Sequence, residues 1–372
     1  MGSTTAIVTG SGGLVGSEAS RHFARAGYKV VGIDNDLRRQ FFGASASTAR
    51  VTAQLEAELR DCFVSEDVDI RSSDVERVFR RERSRVALIV HAAAQPAHDW
   101  AARDPRTDFG VNAFGTLNLL EMACRYCPDA TFIYCSTSKV YGDHPNDLPL
   151  QRAGDRLDLP EGHRYHAGVD TSMPIDGCTH SLFGVSKASA DLLVQEYGRY
   201  FGMPTVCFRP GCVSGPDHAG TQLHGFLSYL VRCGVTGAPY TVIGHDGLQV
   251  RCNIHASDLV TAFATFHQNP RAGAVYNIGG GRRGACSVRE ALAAVQRITG
   301  QAMSPTYESE PRIGDHRWWI SDNRPFQADY PGWDITYGVE DILHEIHERN
   351  ADRWREEFAL APSSFQVSAL HS

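Results

Sequence analysis

The segment Gly10-Ser11-Gly12-Gly13-Leu14-Val15-Gly16 limits what this chain can become more than any other. It follows a β-branched run, TTAIVTG (4–10), and opens a helical pattern over 14–27 in which Val15, Ala19, Phe23 and Ala26 share one face. Glycines at this spacing between a strand and a helix divide three duties. Gly10 permits the tight turn, Gly13 lets backbone approach a pyrophosphate, and Gly16 lets helix and strand pack closely. The helix N-terminus, with Leu14 and Val15, adds N–H donors and a positive dipole end. Asp34 closes a second strand-like run, YKVVGID (28–34). A carboxylate there accepts ribose hydroxyls and repels a 2′-phosphate, so the expected cofactor is NAD, with Asn35 beside it. Arg38 and Arg39 pull weakly towards NADP.

Further strand-like runs lie at 61–68, 86–93, 130–136 and 205–210, with helical patterns at 73–83, 107–126 and 184–202 between them. Strand–helix alternation implies parallel β-α-β units with right-handed crossovers. After residue 215 the spacing predicts helices at 221–236, 257–268 and 287–300 and strands at 239–244 and 274–279. The Ser287 and Gly300 ends of the last helix read as caps. The expected fold is α/β: a doubly wound, seven-stranded, mostly parallel Rossmann sheet with a smaller C-terminal substrate-binding lobe. The division expected is a NAD-binding domain over 1–210, a substrate lobe over 211–355 and a tail over 356–372. The stretch 144–178, rich in Pro, Asp, His and Gly, reads as a long functional insert.

A formal net charge of −7 argues against a nucleic-acid surface. No run nears the roughly 18 apolar residues of a membrane span. Residues 1–20 lack a charged segment ahead of a long apolar run, so no secretory leader is expected. Ten scattered cysteines, with Cys124 and Cys127 the one close pair, suggest reduced thiols in a cytoplasm and no metal site.

Taken together, GSGGLVG (10–16), VDI (68–70), HAAAQ (91–95), VNAFGTLNLLE (111–121), STSKVYG (136–142), SLFGVSK (181–187), FRPGCVSGP (208–216), VRCNIH (250–255) and YNIGGG (276–281) resemble the extended short-chain dehydrogenase/reductases. That family contains the nucleotide-sugar epimerases and dehydratases. Within it, STSKVYGD, HAAAQPA, YNIGGG and the insert look most like the CDP-paratose 2-epimerase group. The resemblance implies that Asp69 and Ile70 flank the adenine, and that Ala92, Ala93 and Ala94 line the cofactor. Asn112 would steady the central helix, and Pro210 would meet the nicotinamide amide. Thr137, Ser138, Phe183 and Lys187 fall on catalytic positions: Thr137 would hold the reacting sugar hydroxyl and Lys187 the nicotinamide ribose. Gln95, His98, Lys139, His180 and Ser181 would line the sugar. Arg251, Arg312 and Asp315 would meet the nucleotide's diphosphate and ribose, with Arg317 and Trp318 shaping the pocket. A CDP- or UDP-linked sugar is the expected partner, and a homodimer or homotetramer, paired through 107–126 and 184–202, the expected assembly.

One departure matters most. The family's proton-carrying tyrosine stands four residues before its lysine, and here that position is Phe183. A phenyl ring can neither take nor give a proton. Either the chain is a Tyr→Phe form of a working enzyme, or another group carries the proton, with His180, Tyr165 and His166 as candidates. The dehydratases carry Asp-Glu after the threonine, whereas Ser138-Lys139 follow here, which leaves epimerisation or simple oxidation. A NAD-binding sensor without catalysis is the alternative that Phe183 raises.

Overall fold

The computed structural model describes residues 4–222 and 224–360. Seven strands form one sheet: β1 (Thr5–Thr9), β2 (Lys29–Ile33), β3 (Phe63–Glu66), β4 (Val86–His91), β5 (Thr131–Cys135), β6 (Thr205–Pro210) and β7 (Ala274–Ile278). Their order is β7-β6-β5-β4-β1-β2-β3, and every pairing is parallel. The order reverses next to β1, which opens a crevice at the carboxyl ends of β1 and β4. Strands buried on both faces explain the continuous apolar runs, since helices cover the sheet on each side. One layer of core gathers Val8, Phe23, Val90, Phe208 and Phe263; the other gathers Ile7, Val31, Phe79, Leu120 and Val194.

Sequence order and spatial order part after β6. The helix Ala256–Gln268 packs beside α1 (Leu14–Arg25), and β7 then closes the sheet edge. The expected 239–244 strand is Thr241–Ile243, paired in parallel with Thr306–Glu308 away from the main sheet. Asn253, Ile254 and His255 pair with Cys212, Val213 and Ser214, and Ala285–Ser287 joins the other side of Val250–His255. A separate core of Leu230, Val231, Leu292, Val295, Ile346 and Trp354 lies beneath this part. The 287–300 reading holds closely: Ser287 and Glu290 make a reciprocal capping box, and Gly300 ends the helix at φ 68°.

Three expectations need correction. The 107–126 helix is not continuous: α-helical Pro105–Phe109 passes through a π-helical turn, Gly110–Phe114, into Gly115–Tyr126. Gly115 lies against Ile70, where a Cβ would come within 2.6 Å of the Ile70 side chain. The 221–236 helix starts only at Phe226, after Gly225 at φ 85°. The supposed tail is helical through residue 360, because Val339–Leu360 buries Ile342, Leu343, Ile346 and Trp354 against the helix Phe226–Thr236. The tail beyond 360 lies outside the described residues. No described helix is long and apolar enough to cross a membrane.

Candidate active site

Gly10 takes φ 68°, and its N–H bonds Ile33 O at 2.7 Å, tying the turn to the end of β2. A Cβ at Gly16 would sit 2.0 Å from Gly10 O, and one at Gly12 would sit 2.6 Å from Thr52 Oγ1. Gly12 and Gly16 therefore have no room for a side chain, and the loop lines a cavity of about 880 Å³. Asp34 stands at its rim. One carboxylate oxygen accepts from Gly12 N (2.9 Å), the other from Asp36 N and Thr48 Oγ1 (2.9 Å each). The same wall carries Leu14, Val15, Asn35, Asp69, Ile70 and Ala92–Ala94, and Pro210 lies deeper. Asn35 Nδ2 donates to Asp69 Oδ2, and Arg71 grips both Asp69 oxygens, holding that carboxyl below its usual range. Close backbone, a carboxylate at the end of β2 and an apolar slot fit a dinucleotide. Gly12–Val15 would hold its pyrophosphate, Asp34 a ribose and Ile70 the adenine.

Thr137 follows β5 on the same cavity and accepts the Lys139 N–H at 3.2 Å. Ser138 lies beside it. The helix Leu182–Phe201, capped by Ser181, brings Phe183 and Lys187 to the same floor. Lys187 Nζ donates to Cys135 O at 2.9 Å and rests 4.4 Å from the centre of the Tyr134 ring. Burial lowers its pKa from the usual lysine value. His98 packs edge-on against the Phe183 ring, 5.0 Å between centroids. His98 Nδ1 meets Ser181 Oγ at 2.7 Å, and burial, aided by Lys139, pushes the imidazole down to about 3.

The opposite end is strongly charged. Asp315 lies 3.5 Å from Arg251 Nη2, 3.6 Å from Arg312 Nε and 3.9 Å from Lys139 Nζ. Burial raises the Asp315 pKa, but the three cations outweigh it and leave the carboxyl well below its usual range. Arg251 also donates to His316 O at 2.5 Å, and Lys139 Nζ to Gly314 O at 2.7 Å. Burial drops Lys139 to about 8. Three cations around one carboxylate leave a net positive basin suited to a diphosphate.

Some expected site residues do not line this cavity. Gln95 is fully buried, its amide spent on Ala97 O, Ala97 N and Asp108 Oδ1. It braces the π-helical turn through Asn112, whose amide donates to Gln95 O, Asp108 Oδ1 and Ser186 Oγ. Asn112 thus ties this helix to its neighbours, and Gln95 is a support that does not line the cavity. His180 is turned away, its Nε2 on Val140 O, and Ser181 acts as a helix cap and a His98 partner. Tyr165 and His166 lie off the cavity: Tyr165 OH meets Arg164 and Ser172, and His166 O accepts from Arg282. Trp318 is sealed in a core with its indole N–H on Asp158, whereas Trp319 faces the cavity.

Other lining residues escaped the sequence reading. The segment 44–48 and the loop 216–222 roof the dinucleotide end, with His218 and His224 contributed by that side. Arg38 Nη2 bonds Ala219 O at 2.9 Å and its guanidinium lies over Phe42, so it fastens the roof; Arg39 does not reach the cavity. Only tertiary folding brings residue 38 to 219, so no local pattern could have flagged it. Cys212 and Cys252 both line the site. Among the described residues no cluster suited to a metal ion exists, and Cys124 and Cys127 are unpaired thiols.

Residues 6–279 match the family described as "NAD dependent epimerase/dehydratase family". The chain is 30% identical to a CDP-paratose 2-epimerase of Salmonella typhi over 284 residues, 74% of this chain and 78% of that one. It is 27% identical to a dTDP-glucose 4,6-dehydratase of Haemophilus influenzae, covering 90% of this chain and 89% of the relative. The fold is shared with UDP-glucose 4-epimerase of Thermotoga maritima solved with UDP-glucose (TM-score 0.75, 24% identity, 94% and 99% coverage). It is shared equally with UDP-glucuronic acid 4-epimerase of Bacillus cereus solved with UDP-glucuronic acid and NAD (TM-score 0.74, 22% identity, 94% and 99% coverage). The chain belongs to the NAD dependent epimerase/dehydratase family, the nucleotide-sugar enzymes whose cofactor is NAD.

Proposed function

We propose that this protein is a nucleotide-sugar epimerase that inverts one ring carbon through a transient keto-sugar, with a CDP- or UDP-linked sugar as substrate. The observation that carries the reading is the single cavity itself. Its one end is the glycine cradle with Asp34, its other end the Arg251–Arg312–Lys139 basin, and Thr137 and Lys187 lie between. A diphosphate bound at Arg251 and Arg312 would hang its sugar towards Thr137. NAD supplies a hydride acceptor and donor there. Thr137 Oγ1 would hold the reacting hydroxyl, Lys187 the cofactor's ribose, and the roof over 216–222 would exclude water. Epimerisation is preferred over 4,6-dehydration because Ser138 and Lys139, not a pair of carboxyls, follow Thr137. The 30% identity to a CDP-paratose 2-epimerase favours inversion at C2.

We further propose a homodimer. Phe109, Phe114 and Leu192 are about half exposed and line one apolar groove with Ala113, Leu117 and Leu193. Ten unpaired cysteines favour a reducing cytoplasm. The test is to incubate the protein with NAD and CDP-, UDP- and GDP-hexoses and follow ring-carbon configuration by NMR. Interconversion of one epimer pair with no net NADH is the expected result. Net NADH release would make it a sugar oxidoreductase. Failure to bind any nucleotide sugar would leave a dinucleotide sensor, the reading that Phe183 raises.

A further inference from the structure

A carbinol cannot lose hydride without also losing its hydroxyl proton, and Phe183 offers no group to take it. The cavity must supply that group from elsewhere. Its arginines stay protonated at any working pH. Lys187, bonded to Cys135 O and resting on Tyr134, is given to the cofactor's ribose in the reading above. His218 and His224 face each other at 3.2 Å beside Arg38, at the dinucleotide end. His316 is buried with Nε2 on Gly142 O. His98 touches Phe183, but its Nδ1 is tied to Ser181 and burial holds it far too acidic to keep a proton.

Lys139 remains. It shares the turn of Thr137, whose Oγ1 accepts its backbone N–H. Its Nζ bonds Gly314 O, and Gly314 abuts His98: a Cβ on Gly314 would come within 2.6 Å of His98 Nδ1. Phe183, His98 and Lys139 therefore line the cavity together with Thr137, and Gly314 joins His98 to Lys139 Nζ. We infer that Lys139 carries the sugar hydroxyl proton in this protein, doing from the 137–139 turn what a phenol at position 183 would do. The inference rests on the epimerase reading above.

In the oxidising half-step the O–H and C–H bonds of one ring carbinol break and a C=O bond forms. The proton moves onto the lone pair of the neutral Lys139 amine, and both electrons of the C–H bond leave as hydride to the oxidised nicotinamide of the family's cofactor. The return half-step reverses each transfer on the other face of the ring, so acid and base are the same nitrogen. The groups facing that nitrogen set its proton affinity: burial, Arg251 and Arg312 disfavour the ammonium, Asp315 and Cys212 favour it, and His98 and His316 face it as neutral imidazoles. The balance puts Lys139 near 8, close to working pH, where a proton carrier is most effective.

The test uses the NAD-loaded enzyme and four variants: Lys139→Ala, Lys139→Arg, Phe183→Tyr, and Lys139→Ala with Phe183→Tyr. Lys139→Ala is expected to lose about 10²- to 10⁴-fold in kcat. Ethylamine in the buffer, or the added phenol, should restore much of it. Lys139→Arg keeps the charge but cannot shed the proton, so it should bind nucleotide sugar and hold NAD yet stay inactive. Independently of turnover, the ¹³C spectrum of lysine-labelled holoenzyme should contain one ε-carbon titrating near pH 8 that disappears in Lys139→Ala. Full activity in Lys139→Ala or Lys139→Arg, a loss that neither ethylamine nor the phenol repairs, or no such titrating carbon would each overturn the inference. If the unaltered chain converts no sugar but Phe183→Tyr does, the inference falls and the epimerase reading stands. If neither converts or binds a nucleotide sugar, both fall.

Discussion

The imidazole of His98 meets the phenyl ring of Phe183 edge-on, 5.0 Å between centroids and 72° between planes. The contact fixes the ring at the spot where the rest of the family's motif, Ser181 to Lys187, aims a side chain into the cavity. Phe183→Tyr adds one oxygen to a ring already at the cavity wall. It should fold with a stability change under about 1 kcal/mol, as conservative changes at a cavity wall do. Turnover at pH 7 should rise, because two proton carriers then serve one hydroxyl. Thermal melts and NMR-followed epimerisation check this. A variant that folds and loses activity would mean that the ring does not sit at the reacting hydroxyl.

Asp315 gives the molecule an acid-sensitive element. Its folded pKa lies below the unfolded value of about 3.9, because Arg251, Lys139 and Arg312 outweigh burial. The stability it contributes is therefore complete above that unfolded value and is lost as pH falls through the lower folded one. Asp315→Asn should be less stable than the parent at pH 7, with the gap closing as the solution is acidified below about pH 4. Urea midpoints measured across that range decide it. A gap that does not change with pH would show that the carboxylate's charge is not what stabilises.

Gly16→Ala tests the cradle. The new methyl would press on Gly10 O, and Gly10 cannot retreat because its N–H is held by Ile33 O. Overpacking of this kind costs about 1–3 kcal/mol. The variant should melt at a lower temperature, and added NAD should no longer raise its melting point. A normal NAD-dependent rise would show that the loop has slack.

Leu192→Glu tests the apolar groove. A charge among Phe109, Phe114 and Leu117 should turn a dimer into a monomer in light scattering, while NAD binding, whose cavity Leu192 does not line, persists. An unaltered chain that already runs as a monomer would refute the assembly.

Much of the nucleotide half was legible in the residues. The runs at 4–10, 28–34, 86–93 and 205–210 announced strands because a parallel sheet buries both faces of each. Gly10, Gly13, Gly16 and Asp34 could be read together because one turn joins them to two neighbouring strands. The π-helical turn at Gly110–Phe114 was hidden, since the Asn112 amide within it is held by Gln95, Asp108 and Ser186, two of them distant in the chain. Gln95 and His180 sit in motifs that suggest a site, but where their side chains point depends on partners elsewhere in the chain.

What the sequence determined by itself was local: turn geometry, helix caps, the apolar periods of strands and helices, and the missing hydroxyl at Phe183. These depend on neighbours within a few residues. What only the tertiary structure decided was meeting. Lys139, Arg251 and the neighbouring pair Arg312 and Asp315 come from three distant parts of the chain and share one basin because folding closes a cavity over them. The shifted proton affinities follow from the same cause. Burial strips water from a charge, and the charges that face it in its place are chosen by the fold.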